Sequence, residues 1–294
     1  MSRTLTGIQK IEQSILTEYR DQLWAPFCKA IRRYDLIQPN DHIAVCISGG
    51  KDSMLMAKMM QLLHRHTEIP FDVTYLIMDP GYNEINRRKV ESNARYLEIP
   101  YTIFESDIFE VANSQDKNPC FLCARMRRGC LYNKARELGC NKIALGHHFD
   151  DVIGTTVMGM LYGGQLQGML PRLSAKNFPG MELIRPLYMV HEEDIIRWKN
   201  DNELSFIQCA CRFTENCTMC DNGQGGSKRQ EVKQLLKRLK KENPSVEDNV
   251  FASIHNVQLD TMVGWKHRGV THSFLEQFEQ SPENETKKKE QEPC

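Results

Sequence analysis

The six residues SGGKDS (48–53) stand between a short apolar run, His42 to Ser48, and a segment with helical periodicity, Asp52 to His66. Glycines let the main chain approach a ligand closely, and the amide N–H groups of such a loop bind anions together with the N-terminus of the following helix. Lys51 adds a positive charge. The motif is not a Walker A loop, because Val45 stands where that loop needs its first glycine. We therefore predict a phosphate site, rather than a turn that merely uses glycine.

Cysteines at short spacing form a second group that can do chemistry. The chain has 11 cysteines, a lower density than that of a disulfide scaffold. Cys120 and Cys123 form a CxxC followed by RMRRG, at the start of a predicted helix, where the amide groups and the helix dipole favour thiolates. The segment CACRFTENCTMC adds four more, Cys209, Cys211, Cys217 and Cys220. Two such groups favour ligation of a soft metal over redox exchange.

A third polar motif, ALGHHFDD (144–151), follows another apolar run. Its two histidines and two aspartates could together hold a transition metal. The alternative, which we favour, is a polar surface that contacts a ligand or caps the next helix.

The elements that position these motifs follow from hydrophobic periodicity. Short apolar runs alternate with longer segments of helical spacing, which predicts βαβ units and a parallel sheet. The fold class is thus α/β, a doubly wound parallel sheet with an N-terminal helix and a C-terminal helical, cysteine-rich extension. The predicted strands are His42 to Ser48, Asp72 to Met78, Tyr101 to Glu105 and Lys142 to Gly146. After Gly163 we expect no further alternation of strands and helices.

The chain divides into four predicted segments. Residues 1–40 form an N-terminal helical segment, with one helix from Ile8 to about Arg33. Residues 41–204 form the α/β domain that carries the loop and the CxxC. Residues 205–280 contain the cysteine-rich segment and two C-terminal helices, and the charged residues 281–294 are expected to be a disordered tail.

Composition excludes some classes of protein. Hydrophobic residues make up 40% and charged residues 26%, which excludes collagen, coiled coil and wholesale disorder. The apolar runs are too short for a membrane helix and the N-terminus has no apolar signal core, so we expect a cytoplasmic protein with no membrane partner. Net charge is zero and does not decide for or against nucleic acid. The basic helix Lys228 to Lys241 suits either RNA phosphates or a solvated helix face.

The SGGKDS loop resembles the PP-loop of the ATP pyrophosphatase superfamily, whose members cleave ATP between the α and β phosphates and adenylate a substrate oxygen. The ALGHHFDD segment resembles a second motif of that superfamily. The resemblance implies that the loop holds pyrophosphate and that Met78 and Asp79 lie near the adenine and ribose. Asp52 and Asp151 would hold Mg²⁺ on the phosphates, since hard cations take oxygen ligands. The implied ATP-binding residues are Ser48, Gly49, Gly50, Lys51, Asp52, Ser53, Met78 and Gly146.

The loop, the CxxC with RMRRG, GHHFDD and LYGGQLQGMLP together are similar to the tRNA 2-thiocytidine synthetases of the TtcA type, from about Leu16 to Asp260. That family holds a 4Fe–4S cluster by three cysteines, with one iron open to sulfide or substrate. The resemblance implies Cys120, Cys123 and one cysteine of the 209–220 group as ligands. Counting forward from IRPL (184–187) selects Cys209 or Cys211, whereas counting back from Arg229-Gln230 selects Cys220. We choose Cys211, because the ligand in the relatives is the more C-terminal cysteine of its pair, with Cys209 as the second choice.

The resemblance also implies the reaction. The chain would adenylate the C2 oxygen of a cytidine in the anticodon loop of tRNA and replace that oxygen with sulfur, releasing AMP and pyrophosphate. Its implied catalytic residues are Asp52, Arg127 and Asp151, with Arg127 stabilising negative charge as it develops. The sulfur would come from sulfide or a cysteine desulfurase. Whether the chain acts alone or as a homodimer is left open by the sequence.

Three other functions compete with this one. The first is a PP-loop thiolase that acts on another tRNA nucleoside, of the 2-thiouridine type. The second is an amidating or lysidine-forming PP-loop ligase, which would have no use for two cysteine groups. The third is a non-catalytic nucleotide- and zinc-binding RNA protein, in which the 209–220 cysteines form a zinc knuckle.

Overall fold

The computed structural model describes residues 5–106, 108, 119–207 and 228–279 of the 294. Six strands form one sheet in the order β3-β2-β1-β4-β6-β5, and all neighbours are parallel except β5, which pairs antiparallel with β6. The strands are β1 His42–Ile47, β2 Asp72–Asp79, β3 Tyr101–Glu105, β4 Lys142–Ala144, β5 Arg172–Ser174 and β6 Glu182–Ile184. The predicted α/β class and parallel sheet are therefore confirmed.

Helices connect the strands and cover the sheet. A small antiparallel hairpin lies near the end of the described chain, with strands β7 Gly264–His267 and β8 Val270–Ser273. The helices are α1 Gly7–Leu16, α2 Ala25–Arg33, α3 Lys51–His66, α4 Glu84–Tyr96, α5 Pro119–Glu137, α6 Phe149–Gly163, α7 Glu192–Asp201, α8 Lys228–Glu242, α9 Val246–Ser253 and α10 Glu276–Glu279. Among the described residues, none of the helices is both long enough and apolar enough to cross a bilayer.

The structure departs from the predicted elements in two places. No strand was predicted after Gly163, yet the consecutive strands β5 and β6 extend the sheet beyond β4. Each is only three residues long, too short for a two-residue period to be recognised. The N-terminal helix is also not continuous: α1 ends at Leu16, a π-helical turn follows at Arg20–Trp24, and α2 then begins. Pro26 in the first turn of α2 has no N–H to continue an earlier helix.

The core lies on both faces of the sheet, as a doubly wound fold requires. Residues 43–47 of β1 are all buried, and so are residues 75–79 of β2, because helices cover both faces of these central strands. Helix α3 packs on β1 and β2 and is itself largely buried. A further apolar cluster joins the C-terminal helices to α6, through Val232 and Leu236 of α8 and Phe251 of α9 against Phe149 and Val152.

Helix α3 carries one charged group into this core. The side chain of Lys58 is completely buried, and its Nζ lies 2.7 Å from Glu12 Oε1 on α1 and donates to Gln61 Oε1 at 2.7 Å. Arg65 also contacts Glu12, at 3.1 Å. The pair therefore ties the N-terminal segment to the α/β sheet.

We expect Glu12→Ala to lower the free energy of unfolding by about 3–5 kcal/mol, because it leaves the buried ammonium of Lys58 without a counter-charge. Urea denaturation measures the change. The double variant Glu12→Ala, Lys58→Met removes both charges and should recover most of the loss. A Glu12→Ala protein as stable as the parent would show that the buried pair does not hold α1 in place.

Candidate active site

The site lies between β1 and β4, where the order of the strands in the sheet reverses. Strands β1 and β4 are neighbours, yet the chain runs from β1 outward to β2 and β3 on one side, and from β4 to β6 on the other. Ligands of open parallel sheets bind outside the carboxyl ends of the strands at such a point. Ser48 follows β1 and Gly146 follows β4, so the two motifs predicted to bind a nucleotide meet there.

The conformation of the glycine loop explains its sequence. Gly49 has φ +85°, and a Cβ there would lie 2.4 Å from Val90 Cγ2 and 2.7 Å from Ile207 Cδ1. Gly50 is the N-cap of α3 and makes no side-chain hydrogen bond, so the first turn of the helix keeps its N–H groups for another acceptor. The hydroxyl of Ser53 accepts from Ser48 N–H at 3.1 Å and donates to Gly50 O at 3.0 Å. Ser53 therefore braces the loop from within.

Gly146 brings the second motif against this loop. A Cβ at Gly146 would lie 3.1 Å from Ser53 N and 3.2 Å from Asp52 C, which are main-chain atoms that cannot rotate away. The φ of Gly146 is not in the left-handed region, so backbone conformation does not require glycine here. The close approach of two segments of main chain does.

A cavity of about 320 Å³ opens at this edge of the sheet, and we name it the sheet-edge cavity. Its volume is at the lower end of the roughly 300–1,000 Å³ of small-molecule sites. Apolar and polar groups share its wall. The lining residues are Cys46, Ile47, Ser48, Asp52, Ser53, Met78, Arg127, Arg128, Leu131, Leu145, Gly146 and His147.

Six of the predicted site residues line the sheet-edge cavity, namely Ser48, Asp52, Ser53, Met78, Arg127 and Gly146. Asp79 is buried, and its carboxylate accepts from the N–H groups of Gly81 and Tyr82 at 2.8 and 2.6 Å, so it holds a turn instead of facing the cavity. Gly49, Gly50, Lys51 and Asp151 do not line this cavity, and Asp151 lines a neighbouring cleft described below.

Helix α5 supplies the positive wall of the cavity. Arg127 lines it and lies close enough to Tyr82 to lower the pKa of that phenol, although burial dominates and raises the pKa to about 12. Tyr82 thus stays protonated, and its hydroxyl donates to Ser48 O at 3.1 Å. Helix α5 begins at Pro119, so Cys120 and Cys123 fall at its start, as predicted. Cys209, Cys211, Cys217 and Cys220 lie outside the described residues.

The two histidines of the GHHFDD motif have different roles. Burial, and then the nearby charge of Arg185, lower the pKa of His147 to about 4, so its imidazole is neutral at physiological pH. His148 stands between the acids, with Nε2 3.9 Å from Asp52 Oδ1 and 3.6 Å from Asp151 Oδ2. The N–H of His148 donates to Asp151 Oδ2 at 3.2 Å, which confirms the helix-cap interpretation. In the part of the chain that the structure describes, no group of three or more His, Cys, Asp or Glu side chains is arranged to hold a metal.

Asp52 and Asp151 do fit a cation that takes most of its ligands from phosphates. Mg²⁺ in nucleotide sites uses one or two carboxylates together with phosphate oxygens and water. Asp52 Oδ1 is buried without a hydrogen bond, although Lys51 Nζ lies 3.1 Å away, and both aspartates flank the same histidine. A carboxylate oxygen in that position is suited to a hard cation.

Sequence reasoning missed Glu192. Its carboxylate lies 3.1 Å from Lys51 Nζ, and its other oxygen lies 2.5 Å from Lys233 Nζ on α8. Burial raises the pKa of Glu192, but Lys233 and Lys51 outweigh burial and lower it to about 2. Nothing in the sequence pattern links Glu192 to Lys51 across 141 residues.

The basic helix α8 pairs three of its seven basic residues with acids of the site. Arg229, Lys233 and Lys240 recur on one side of α8 and lie 3.9, 2.5 and 3.1 Å from Asp151, Glu192 and Glu193 respectively. A cleft of about 210 Å³, here called the α8 cleft, opens along this row and is also lined by His148 and Asp150. This face of α8 therefore pairs with acids of the site, although its side chains remain partly exposed.

Comparison with known proteins agrees with this geometry. The PP-loop domain matches residues 20–212. The tRNA-cytidine(32) 2-sulfurtransferase of Citrifermentans bemidjiense is 33% identical over 84% of this chain and 93% of its own length, and that of Aliivibrio fischeri is 36% identical over 86% and 80%. The chain belongs to the tRNA-cytidine(32) 2-sulfurtransferase family. The resemblance inferred from the motifs is thereby confirmed.

A solved structure shows that this member of the family shares its fold with a second thiolase. The U34-tRNA thiolase NcsA from Methanococcus maripaludis, solved with its [4Fe-4S] cluster, superposes with a TM-score of 0.61 at 20% identity, covering 84% of this chain and 81% of that one. Helix α8 begins at Lys228, beyond the PP-loop match. Arg229 and Lys233, which lie near Asp151 and Glu192, therefore come from outside that domain.

We expect Gly146→Ala to weaken ATP binding about tenfold, because a Cβ pressed against the main chain of Asp52 and Ser53 costs about 1–3 kcal/mol or displaces the loop. Calorimetric titration with α,β-methylene ATP, which is not cleaved between these phosphates, measures the affinity. Gly163→Ala is the matched control, since a Cβ there has open space around it. Unchanged affinity in Gly146→Ala would show that the loop tolerates a wider separation.

Proposed function

We propose that this protein is an ATP-dependent tRNA sulfurtransferase, which adenylates the C2 oxygen of a cytidine in the anticodon loop and replaces that oxygen with sulfur. The observation that carries the proposal is the convergence of the PP-loop, the GHHFDD motif and Arg127 on one cavity, in a chain whose relatives bear that name. The C2 oxygen is a poor leaving group, and its adenylation converts it into AMP.

The chain's own groups suit each part of ATP. The N–H groups at the start of α3 and the ammonium of Lys51 hold the pyrophosphate moiety. Ile47, Met78 and Leu145 give the sheet-edge cavity the apolar surface that a purine ring needs. Gly49 supplies the positive φ of the loop, and Gly146 lets the end of β4 approach the start of α3.

Asp52 and Asp151 would hold Mg²⁺, a proposal supported by the buried oxygen of Asp52 that makes no hydrogen bond. Bound there, the cation neutralises the negative charge that the departing pyrophosphate carries. Arg127 faces the same cavity from α5 and would stabilise the negative charge that develops as the C2 carbon is attacked. Asp52, Arg127 and Asp151 are thus the proposed catalytic residues.

Cys120, Cys123 and Cys211 are the proposed ligands of a 4Fe–4S cluster. The first two occupy positions i and i+3 of α5. With three cysteine ligands, such a cluster leaves one iron open for sulfide. Arg127 lies four positions after Cys123 on α5, about 6 Å further along the helix axis.

The proposed partners are tRNA, ATP and a sulfur donor, either sulfide or a cysteine desulfurase. Arg125 and Arg128 are exposed on α5, next to the cavity, and would contact RNA phosphates. A homodimer remains a proposal on the same footing.

We expect Lys51→Ala and Asp52→Ala each to abolish the formation of AMP and pyrophosphate, because the pyrophosphate loses its cation in one variant and a carboxylate that holds Mg²⁺ in the other. The cluster-loaded protein is assayed with unmodified tRNA, sulfide and labelled ATP. The iron content of both variants should equal that of the parent. Release of ADP by the parent would contradict the assignment of the PP-loop.

We expect Cys120→Ala, Cys123→Ala and Cys211→Ala each to lose cluster iron and tRNA thiolation, since each removes one of three ligands. Each variant is expressed in cells that lack the gene, iron and sulfide are determined, and tRNA digests are analysed for 2-thiocytidine. Cys217→Ala and Cys220→Ala are the controls and should keep both. A Cys211→Ala protein with a full cluster would refute the choice of third ligand. Loss of a thiouridine in the gene deletion, with 2-thiocytidine retained, would identify a different nucleoside as substrate.

A further inference from the structure

Glu192 connects the PP-loop lysine to the C-terminal helix. Both carboxylate oxygens are in use, one 3.1 Å from Lys51 Nζ and the other 2.5 Å from Lys233 Nζ, and the side chain is 14% exposed. Its main-chain N–H donates to Asp150 Oδ2 at 2.8 Å, at the start of α7. Contacts from α3 and α8 therefore hold the carboxylate of Glu192, and a contact from α6 holds its main chain.

Lys51 is held by two acids and can still bind a phosphate. Its ammonium has three N–H donors, of which Asp52 and Glu192, each 3.1 Å away, take two. The third is left for an oxygen of ATP. A lysine side chain has a long flexible stem, so two anchors restrict where that third donor points.

The four charges that these contacts link, including that of Lys51 itself, sum to zero. Lys51 and Lys233 carry two positive charges, and Asp52 and Glu192 carry two negative charges. Removal of Lys233 would leave a net charge of −1 beside the triphosphate and repel it. Neutralisation of Glu192 would leave +1, which attracts ATP, but Lys51 would lose an anchor.

We propose that Glu192 is a positioning residue that aims Lys51 at the departing pyrophosphate, and that Lys233 cancels the charge of Glu192 so that ATP can still bind. The reaction in question is that of the proposed function, on which this inference rests. A helix outside the PP-loop domain would thus complete the nucleotide site.

The test compares Glu192→Gln, Lys233→Met and the double variant in the full-length, cluster-loaded protein. Affinity is measured with α,β-methylene ATP, and kcat and KM are measured from AMP formation with tRNA and sulfide. Glu193→Gln is the control, because Glu193 follows Glu192 on α7 and also pairs with a lysine of α8, Lys240, at 3.1 Å, but is 62% exposed.

We expect Lys233→Met to weaken binding of the analogue about tenfold, the effect of one uncompensated charge partly screened by solvent, with kcat little changed. Glu192→Gln should bind the analogue at least as tightly as the parent, while kcat falls about 10- to 100-fold through misplacement of Lys51. The double variant should regain the affinity of the parent and keep the low kcat. Glu193→Gln should change neither quantity.

Parallel losses of affinity and kcat in all variants, including Glu193→Gln, would overturn the proposal and assign the pair a purely structural role. Unchanged affinity in Lys233→Met would overturn the role of that lysine. If Glu192→Gln fails to fold, Lys233→Met still tests the proposal, because the side chain of Lys233 is 40% exposed and its replacement does not threaten folding. If the parent forms no AMP, the proposed function fails, whereas the affinity series still decides the charge balance.

Discussion

The main-chain approach of Gly146 to the start of α3 is the contact on which the rest of the site depends. It places the carboxyl end of β4 directly against the loop that follows β1, with 3.1 Å between a would-be Cβ and Ser53 N. Only parallel neighbours at the switch of strand order allow this, because their ends then face the same edge. The sheet-edge cavity and the two aspartates beside His148 lie next to this approach.

Around this contact, charged side chains held in fixed positions set the electrostatic potential of the proposed ATP site. Lys51, Asp52 and Glu192 come from two helix N-termini, and Lys233 reaches them from α8. A buried charge without a partner is costly, so each of these groups has an opposite charge next to it. Helix α8 is therefore part of the electrostatics of the site.

The sequence was sufficient to predict the central strands, the loop and the family, because β1 and β2 are long apolar runs and SGGKDS and GHHFDD carry their chemistry in adjacent residues. It was not sufficient for β5 and β6, which have three residues each. It also assigned Asp79 to the nucleotide, although this carboxylate holds its own turn. Glu192 was missed because its importance depends on two partners distant in sequence, and spacing rules detect only local partners.

Helix α5 carries the proposed cluster ligands and Arg127 on one continuous rod. Each residue of an α-helix turns the chain by about 100° and advances it by about 1.5 Å. Insertion of one residue between Cys123 and Arg127 would thus rotate the arginine away from the cavity while the cysteines stayed in place. Loops elsewhere in the chain can gain or lose residues during evolution, but the length of this interval is fixed by helical geometry.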